Sequence, residues 1–110
     1  MKKHGVLGQA LSETIASMGH TDLLVIADAG FPVPPGVQRI DLAVRCGLPS
    51  MLDVTRAIAA DLEVEAIMVA DELLARDDAL PAELRELFPG MPLAHVPHEE
   101  FKRLSERARA

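Results

Sequence analysis

The sequence predicts an α/β fold in layers, on three observations. Helix-period and strand-period patterns alternate along most of the chain, the signature of that class. Residues 23–27 (Leu-Leu-Val-Ile-Ala) and 64–70 are nearly continuous apolar runs of strand length. Such runs suit strands covered on both faces, as in a parallel sheet flanked by helices. Residues 37–44 alternate instead, with Ile40, Leu42 and Val44 on one side and Arg39, Asp41 and Ala43 on the other. That pattern suits a half-exposed strand near the edge. The central sheet is therefore expected to be largely parallel or mixed, and 110 residues are read as a single domain.

Each element has a local reason. In residues 6–18, Leu7, Leu11, Ile15 and Met18 recur at steps of four and three, one face of an amphipathic helix. Gly19 is expected to stop it in the left-handed conformation. The apolar run of residues 23–27 then ends on Asp28, and Pro32, Pro34 and Pro35 with Gly30 and Gly36 make the next stretch a loop. After the 37–44 strand, residues 45–49 turn the chain. Ser50 followed by Asp53 reads as an N-cap with a first-turn carboxylate. The helix behind it should bury Met51, Val54, Ile58 and Leu62. Residues 64–70 form a third strand, and the acidic stretch 71–78 extends it, turns, or carries a short helical piece. Pro81 opens a helix that Pro89-Gly90 stops. Residues 92–96 form a short strand, and a last helix from Pro97-His98 should bury Phe101, Leu104 and Ala108. No capping residue or further strand follows Ala110, so the sequence is expected to be cut rather than finished.

Composition excludes some functions. Acidic residues outnumber basic ones by 17 to 11, for a net charge of −6. Without a basic cluster, a phosphate backbone has no electrostatic footprint to bind, which argues against nucleic acid. Cys46 stands alone, so neither an intrachain disulfide nor a cysteine metal site is expected. Met-Lys-Lys-His-Gly at the start leads into no apolar targeting segment, and no run approaches the roughly 20 apolar residues that span a bilayer. A cytoplasmic protein is expected. Of three phenylalanines, Phe88 and Phe101 sit in helical patterns, which leaves Phe31 as the ring that could face a ligand.

Candidate chemistry centres on residues 18–35. His20 follows a helix end and Asp28 closes a buried strand, at the sheet edge where ligands collect in open α/β folds. A helix carboxyl end favours imidazolium, and Asp22 and Asp28 would push the same way, so His20 suits a general acid. His98 opens a helix, where the dipole disfavours positive charge, and suits an acceptor or base. Two histidines in different states plus an orienting carboxylate form an acid–base set. The alternative is that these groups only hydrogen-bond at sheet ends. His4 is expected to be structural or solvated, and His95 a satisfied, partly buried strand residue. Phosphate-loop, dinucleotide, nucleophile-elbow and His-Glu-x-x-His motifs are absent from the sequence. His95 and His98 fall in different elements, which argues against a shared metal.

Four segments resemble the RbsD family of D-ribose pyranases: Lys-Lys-His-Gly-Val-Leu at residues 2–7, Gly-His-Thr-Asp at 19–22, Ile-Ala-Asp-Ala-Gly-Phe-Pro-Val-Pro at 26–34, and His-Glu-Glu-Phe-Lys at 98–102. Ile40-Asp41-Leu42 and Gly47-Leu48-Pro49 fall in the same order, so the resemblance is collinear along the chain. It implies a layered α/β/α fold and a cofactor-free isomerase, without a metal, that interconverts the pyranose and furanose forms of D-ribose. It also implies homo-oligomers, pentamers commonly stacked as decamers, with sites near subunit contacts. The family's catalytic histidine falls on His20, and its ribose-binding aspartate and histidine fall on Asp28 and His98. Family members continue into a Tyr-x-Asn segment, whereas this sequence has no tyrosine. The rival readings are a fucose mutarotase, whose loop after the strand differs, and a non-catalytic sugar-binding ring protein.

Overall fold

The structure is a computed structural model that describes residues 1–76 and 79–110. Packing divides them into two units, residues 1–62 with 105–110 and residues 63–104. Together they hold five α-helices and a two-stranded parallel sheet among the described residues, an α/β fold.

In the first unit, α1 (Gln9–Ser17) and α2 (Met51–Asp61) supply the core. Val6, Leu11 and Ile58 are buried together, with Ile15, Leu24, Ile26, Ile40, Val54 and Leu62 packed against them. The spacing of 11 to 15 on α1 and of 54, 58 and 62 along α2 is the helical period, so each helix turns one stripe inward. Burying an aliphatic side chain of this size stabilises by about 1.5–3 kcal/mol. Two buried threonines fit because each hydroxyl donates to the carbonyl one turn back, Thr14 to Ala10 at 2.9 Å and Thr55 to Met51 at 2.8 Å.

Ser50 caps α2 as its sequence implies, its Oγ accepting the Asp53 N–H at 3.1 Å. Ser50→Ala is expected to lower stability by about 1 kcal/mol, read as a drop in Tm of several degrees in a thermal melt. Ser50→Thr should keep most of the stability, because its hydroxyl can still accept the Asp53 N–H. An unchanged melt for Ser50→Ala would show that water satisfies the amide equally well.

A second network ties down the amino terminus. The Val6 N–H donates to Asp61 Oδ2 at 2.6 Å, and the Val6 carbonyl accepts from Lys2 Nζ at 2.8 Å and Ser12 Oγ at 2.5 Å. Gly5, with φ of 73°, makes room for it: a Cβ there would stand 2.5 Å from Asp61 Oδ2.

In the second unit, β1 (Ile67–Ala70) and β2 (Leu93–Val96) pair in parallel, Ile67 opposite Leu93 and Val69 opposite His95. The chain crosses between them through α3 (Asp71–Arg76) and α4 (Leu80–Leu87). Val69, Leu80 and Leu84 are buried, with Leu73, Leu74, Phe88 and Leu93 among the residues packed on them. Pro81 lies in the first turn of α4, where its missing N–H costs nothing. The helical option for the acidic stretch holds as far as Arg76, and Asp77 and Asp78 lie outside the described residues. α5 (His98–Ser105) closes the series.

Three expectations are corrected. Residues 23–27 and 37–44 form no ladder. Among the described residues, the first bond to the carboxyl terminus, through Arg109 N–H to the Leu23 carbonyl at 2.8 Å and Val25 N–H to the Ala110 carbonyl at 3.0 Å. In the second, Ile40 joins the core while Leu42 and Val44 are exposed. An apolar pattern reports which side chains are buried, whereas a strand also needs a neighbouring backbone in register. The last helix, moreover, ends at Ser105, so Ala108 lies beyond it and residues 109–110 run alongside 23–25. Among the described residues, no helix is long and apolar enough to cross a membrane.

Candidate active site

His20 is presented by a turn. α1 ends at Ser17, the Met18 N–H bonds back to the Ile15 carbonyl, and Arg109 Nη2 donates to the Ser17 carbonyl at 2.9 Å. A cation on the last carbonyls of a helix complements its dipole. The next four residues close on themselves. The Asp22 N–H donates to the Gly19 carbonyl at 3.3 Å, and Asp22 Oδ2 accepts the Gly19 N–H at 2.8 Å. His20 and Thr21 form the bend between them, and residues 19–22 are exposed.

The left-handed residue here is Thr21, with φ of 69°, and not Gly19 as the sequence suggested. The third position of such a turn ordinarily takes glycine or asparagine. Gly19 instead serves as the partner whose N–H and carbonyl Asp22 grips.

Asp28 stands at the far end of the following segment. Leu24 and Ile26 pack into the core, and Asp28, the next position of that alternation, is exposed. Its carbonyl accepts the Phe31 N–H at 3.1 Å, which starts the proline loop and leaves the Phe31 ring half-buried. His20 and Asp28 thus flank one segment of the first unit, while His98 belongs to the second.

His98 is the first residue of α5, directly behind the end of β2, as its position after Pro97 implies. Its backbone N–H donates to Glu72 Oε2 at 2.7 Å. One residue earlier on α3, Asp71 Oδ1 lies 2.6 Å from Nδ1 of His95. Two adjacent carboxylates at the start of α3 therefore grip the end of β2 and the start of α5. His95 is satisfied as expected but exposed, not partly buried: 64% of its side chain is open to solvent. Neither pairing has a signal in the sequence, since the partners lie 24 and 26 residues apart.

Other features involve other residues. A cleft of about 400 Å³ in the first unit is lined by Lys2, His4, Ser12 and Asp61, among others, and by none of His20, Asp28 and His98. Lys2, Ser12 and Asp61 in its wall already serve the amino-terminal network. Cys46 is a free, exposed thiol in the turn between Arg45 and Leu48. Among the described residues, no three His, Cys, Asp or Glu groups gather as metal ligands. The candidate residues, each taken by itself, are a histidine on an ordered turn, a carboxylate at a segment end and a second histidine at a helix start. That is equipment for proton transfer and hydroxyl recognition.

Comparisons with known proteins show the family of the chain. The RbsD / FucU transport protein family matches residues 1–110. A D-ribose pyranase of Laribacter hongkongensis is 48% identical over 110 residues, all of this chain and 84% of its own length. Another from Symbiobacterium thermophilum is 54% identical over 108 residues, 98% of this chain and 82% of its own. A solved structure of Bacillus subtilis RbsD complexed with D-ribose superposes with a TM-score of 0.94 at 43% identity, covering 100% of this chain and 84% of that one.

Proposed function

Because this chain belongs to the RbsD / FucU transport protein family, we infer that it is a D-ribose pyranase, an isomerase that exchanges the pyranose and furanose rings of D-ribose. One observation carries the reading: relatives named for that activity match essentially the whole chain at about half identity. The likeness to RbsD with D-ribose bound supports the same sugar.

The chemistry asks for little beyond the residues at hand. Opening the pyranose breaks the bond between the anomeric carbon and the ring oxygen. A proton goes to that oxygen, and the anomeric hydroxyl loses one as it becomes the aldehyde. Attack on the aldehyde by the neighbouring hydroxyl, with the proton movements reversed, closes the furanose. We assign the donated proton to His20, the grip on a sugar hydroxyl or on the imidazole to Asp28, and sugar binding or deprotonation of the anomeric hydroxyl to His98. Positioned acid–base groups contribute factors of about 10² to 10⁴, enough for a reaction that already runs slowly in water. The assembly proposed is a homo-oligomer, a pentamer or a stack of two. Leu42, Val44 and Leu48, exposed within one short stretch of chain, are apolar surface that such an assembly would cover.

Saturation-transfer NMR tests the reading. The chain should speed exchange between pyranose and furanose signals of D-ribose at substoichiometric concentration. Exchange on fucose alone would favour the mutarotase, and none on either sugar would favour a sugar-binding protein without catalysis. Asp28→Ala should weaken ribose binding roughly tenfold or more in a titration, because a hydrogen bond to a charged group is worth about 1.5–3 kcal/mol. Unchanged affinity would remove Asp28 from the site.

A further inference from the structure

We propose that Thr21 and Asp22 are positioning residues for His20, a strained and internally bonded turn that holds the imidazole where a proton can be passed. The inference rests on the reading of His20 as the proton donor.

Residues 19–22 are exposed, so core packing does not fix them. Local bonding contributes instead. Asp22 supplies it twice, accepting the Gly19 N–H through its carboxylate and donating its own N–H to the Gly19 carbonyl. Behind the turn, Arg109 holds the Ser17 carbonyl and so anchors the end of the helix that leads into it. His20 is thus carried on a four-residue loop pinned at its base.

Thr21 is the second observation. A β-branched residue at φ of 69° is a genuine conformational outlier. Glycine would adopt this conformation without strain, and would also allow many others. Threonine, once forced there, has few alternatives because its branched Cβ closes neighbouring basins. Strain of this kind persists only where the surroundings over-determine it, and it gathers at functional positions. Here the surroundings are the Gly19–Asp22 bonds. Proton transfer needs donor and acceptor within about 2.6–3.2 Å, and a misplacement of 1 Å can cost about a hundredfold. A narrow backbone basin beneath His20 answers that need, at a cost in stability.

The consequence is a substitution whose effects on stability and activity have opposite signs. In the full chain, Thr21→Gly should raise Tm by about 2–5 °C as strain is relieved. It should also lower kcat for ribose ring exchange by about 10- to 100-fold, with KM within about threefold. Backbone amide order parameters of His20 and Thr21 should fall from about 0.85 to below 0.6. Asp22→Ala should lower kcat similarly, while Asp22→Asn, whose amide oxygen still accepts the Gly19 N–H, should stay within about threefold of wild type.

Unchanged order parameters in Thr21→Gly would overturn the inference whatever the activity. So would lowered order with undiminished kcat, because placement would then not govern the rate. A joint fall in Tm and kcat would mark Thr21 as merely structural and overturn it too. Full ring exchange in His20→Ala would instead overturn the assignment of His20, leaving the order measurements to speak for the turn alone.

Discussion

His20→Ala should slow ribose ring exchange by a factor of about 10² to 10⁴, the range a positioned acid–base group supplies. Ribose affinity should change only a few-fold, because the proposed grip on the sugar belongs to Asp28 and His98. The two quantities are separable: saturation transfer reads the rate, and a titration with the same sugar reads the affinity. His20 is exposed, and a thermal melt of the variant beside wild type separates a loss of rate from a loss of fold. An unaltered exchange rate would remove His20 as the acid. A large loss of affinity with an intact maximal rate would recast it as a binding residue.

Gly5→Ala should be the most destabilising single methyl addition in the first unit. Two effects add. At φ of 73° any L side chain is strained, by roughly 1–2 kcal/mol. The new Cβ would also meet Asp61 Oδ2 at 2.5 Å and Oδ1 at 2.7 Å. That carboxylate is not free to swing aside, since Oδ2 accepts the Val6 N–H at 2.6 Å. Displacing it forfeits a hydrogen bond to a charged group, about 1.5–3 kcal/mol. Against this, alanine lowers the entropy of the unfolded chain, worth about 0.4–1 kcal/mol. The balance is a loss of about 2–4 kcal/mol, or roughly 10–20 °C in Tm for a domain of this size. The ion pair of Lys2 with Asp61, at 3.8 Å and with Lys2 half exposed, adds little. A double-mutant cycle with Asp61→Ala isolates the clash: in that background the penalty should shrink to the backbone strain alone. A loss under about 1 kcal/mol in the wild-type background would show that Asp61 can relocate cheaply.

Much of this protein was legible from local chemistry. The cap at Ser50, proline in the first turn of α4, the stop at Pro89-Gly90 and the start of α5 at His98 all follow from residues within one helical turn of the feature. Helix stripes at 11 and 15, and at 54, 58 and 62, follow from the 3.6-residue period. The candidate residues were reachable in the same way, because a histidine after a helix and an aspartate after an apolar run are positional signals.

Where the sequence misled, the deciding partner lay elsewhere in the chain or the choice lay between near-equal conformations. Residues 37–44 carry a strand pattern, yet no backbone comes alongside to form a ladder among the described residues. Gly19 was the natural left-handed residue, but Asp22 draws both of its backbone polar groups into bonds and passes the positive φ to Thr21.

The sequence by itself therefore determined the α/β class, the helices and the identity of the candidate groups, since each rests on periodicity or on contacts within a few residues. Only the tertiary structure decided which backbones pair, that Glu72 and Asp71 grip His98 and His95, that Asp61 claims the space beside Gly5, and that Thr21 bears the strain beneath His20. The physical reason is distance along the chain: a bond between residues 24 to 55 positions apart leaves no mark in the spacing of either one. Strain, in turn, belongs to a conformation and not to a residue type.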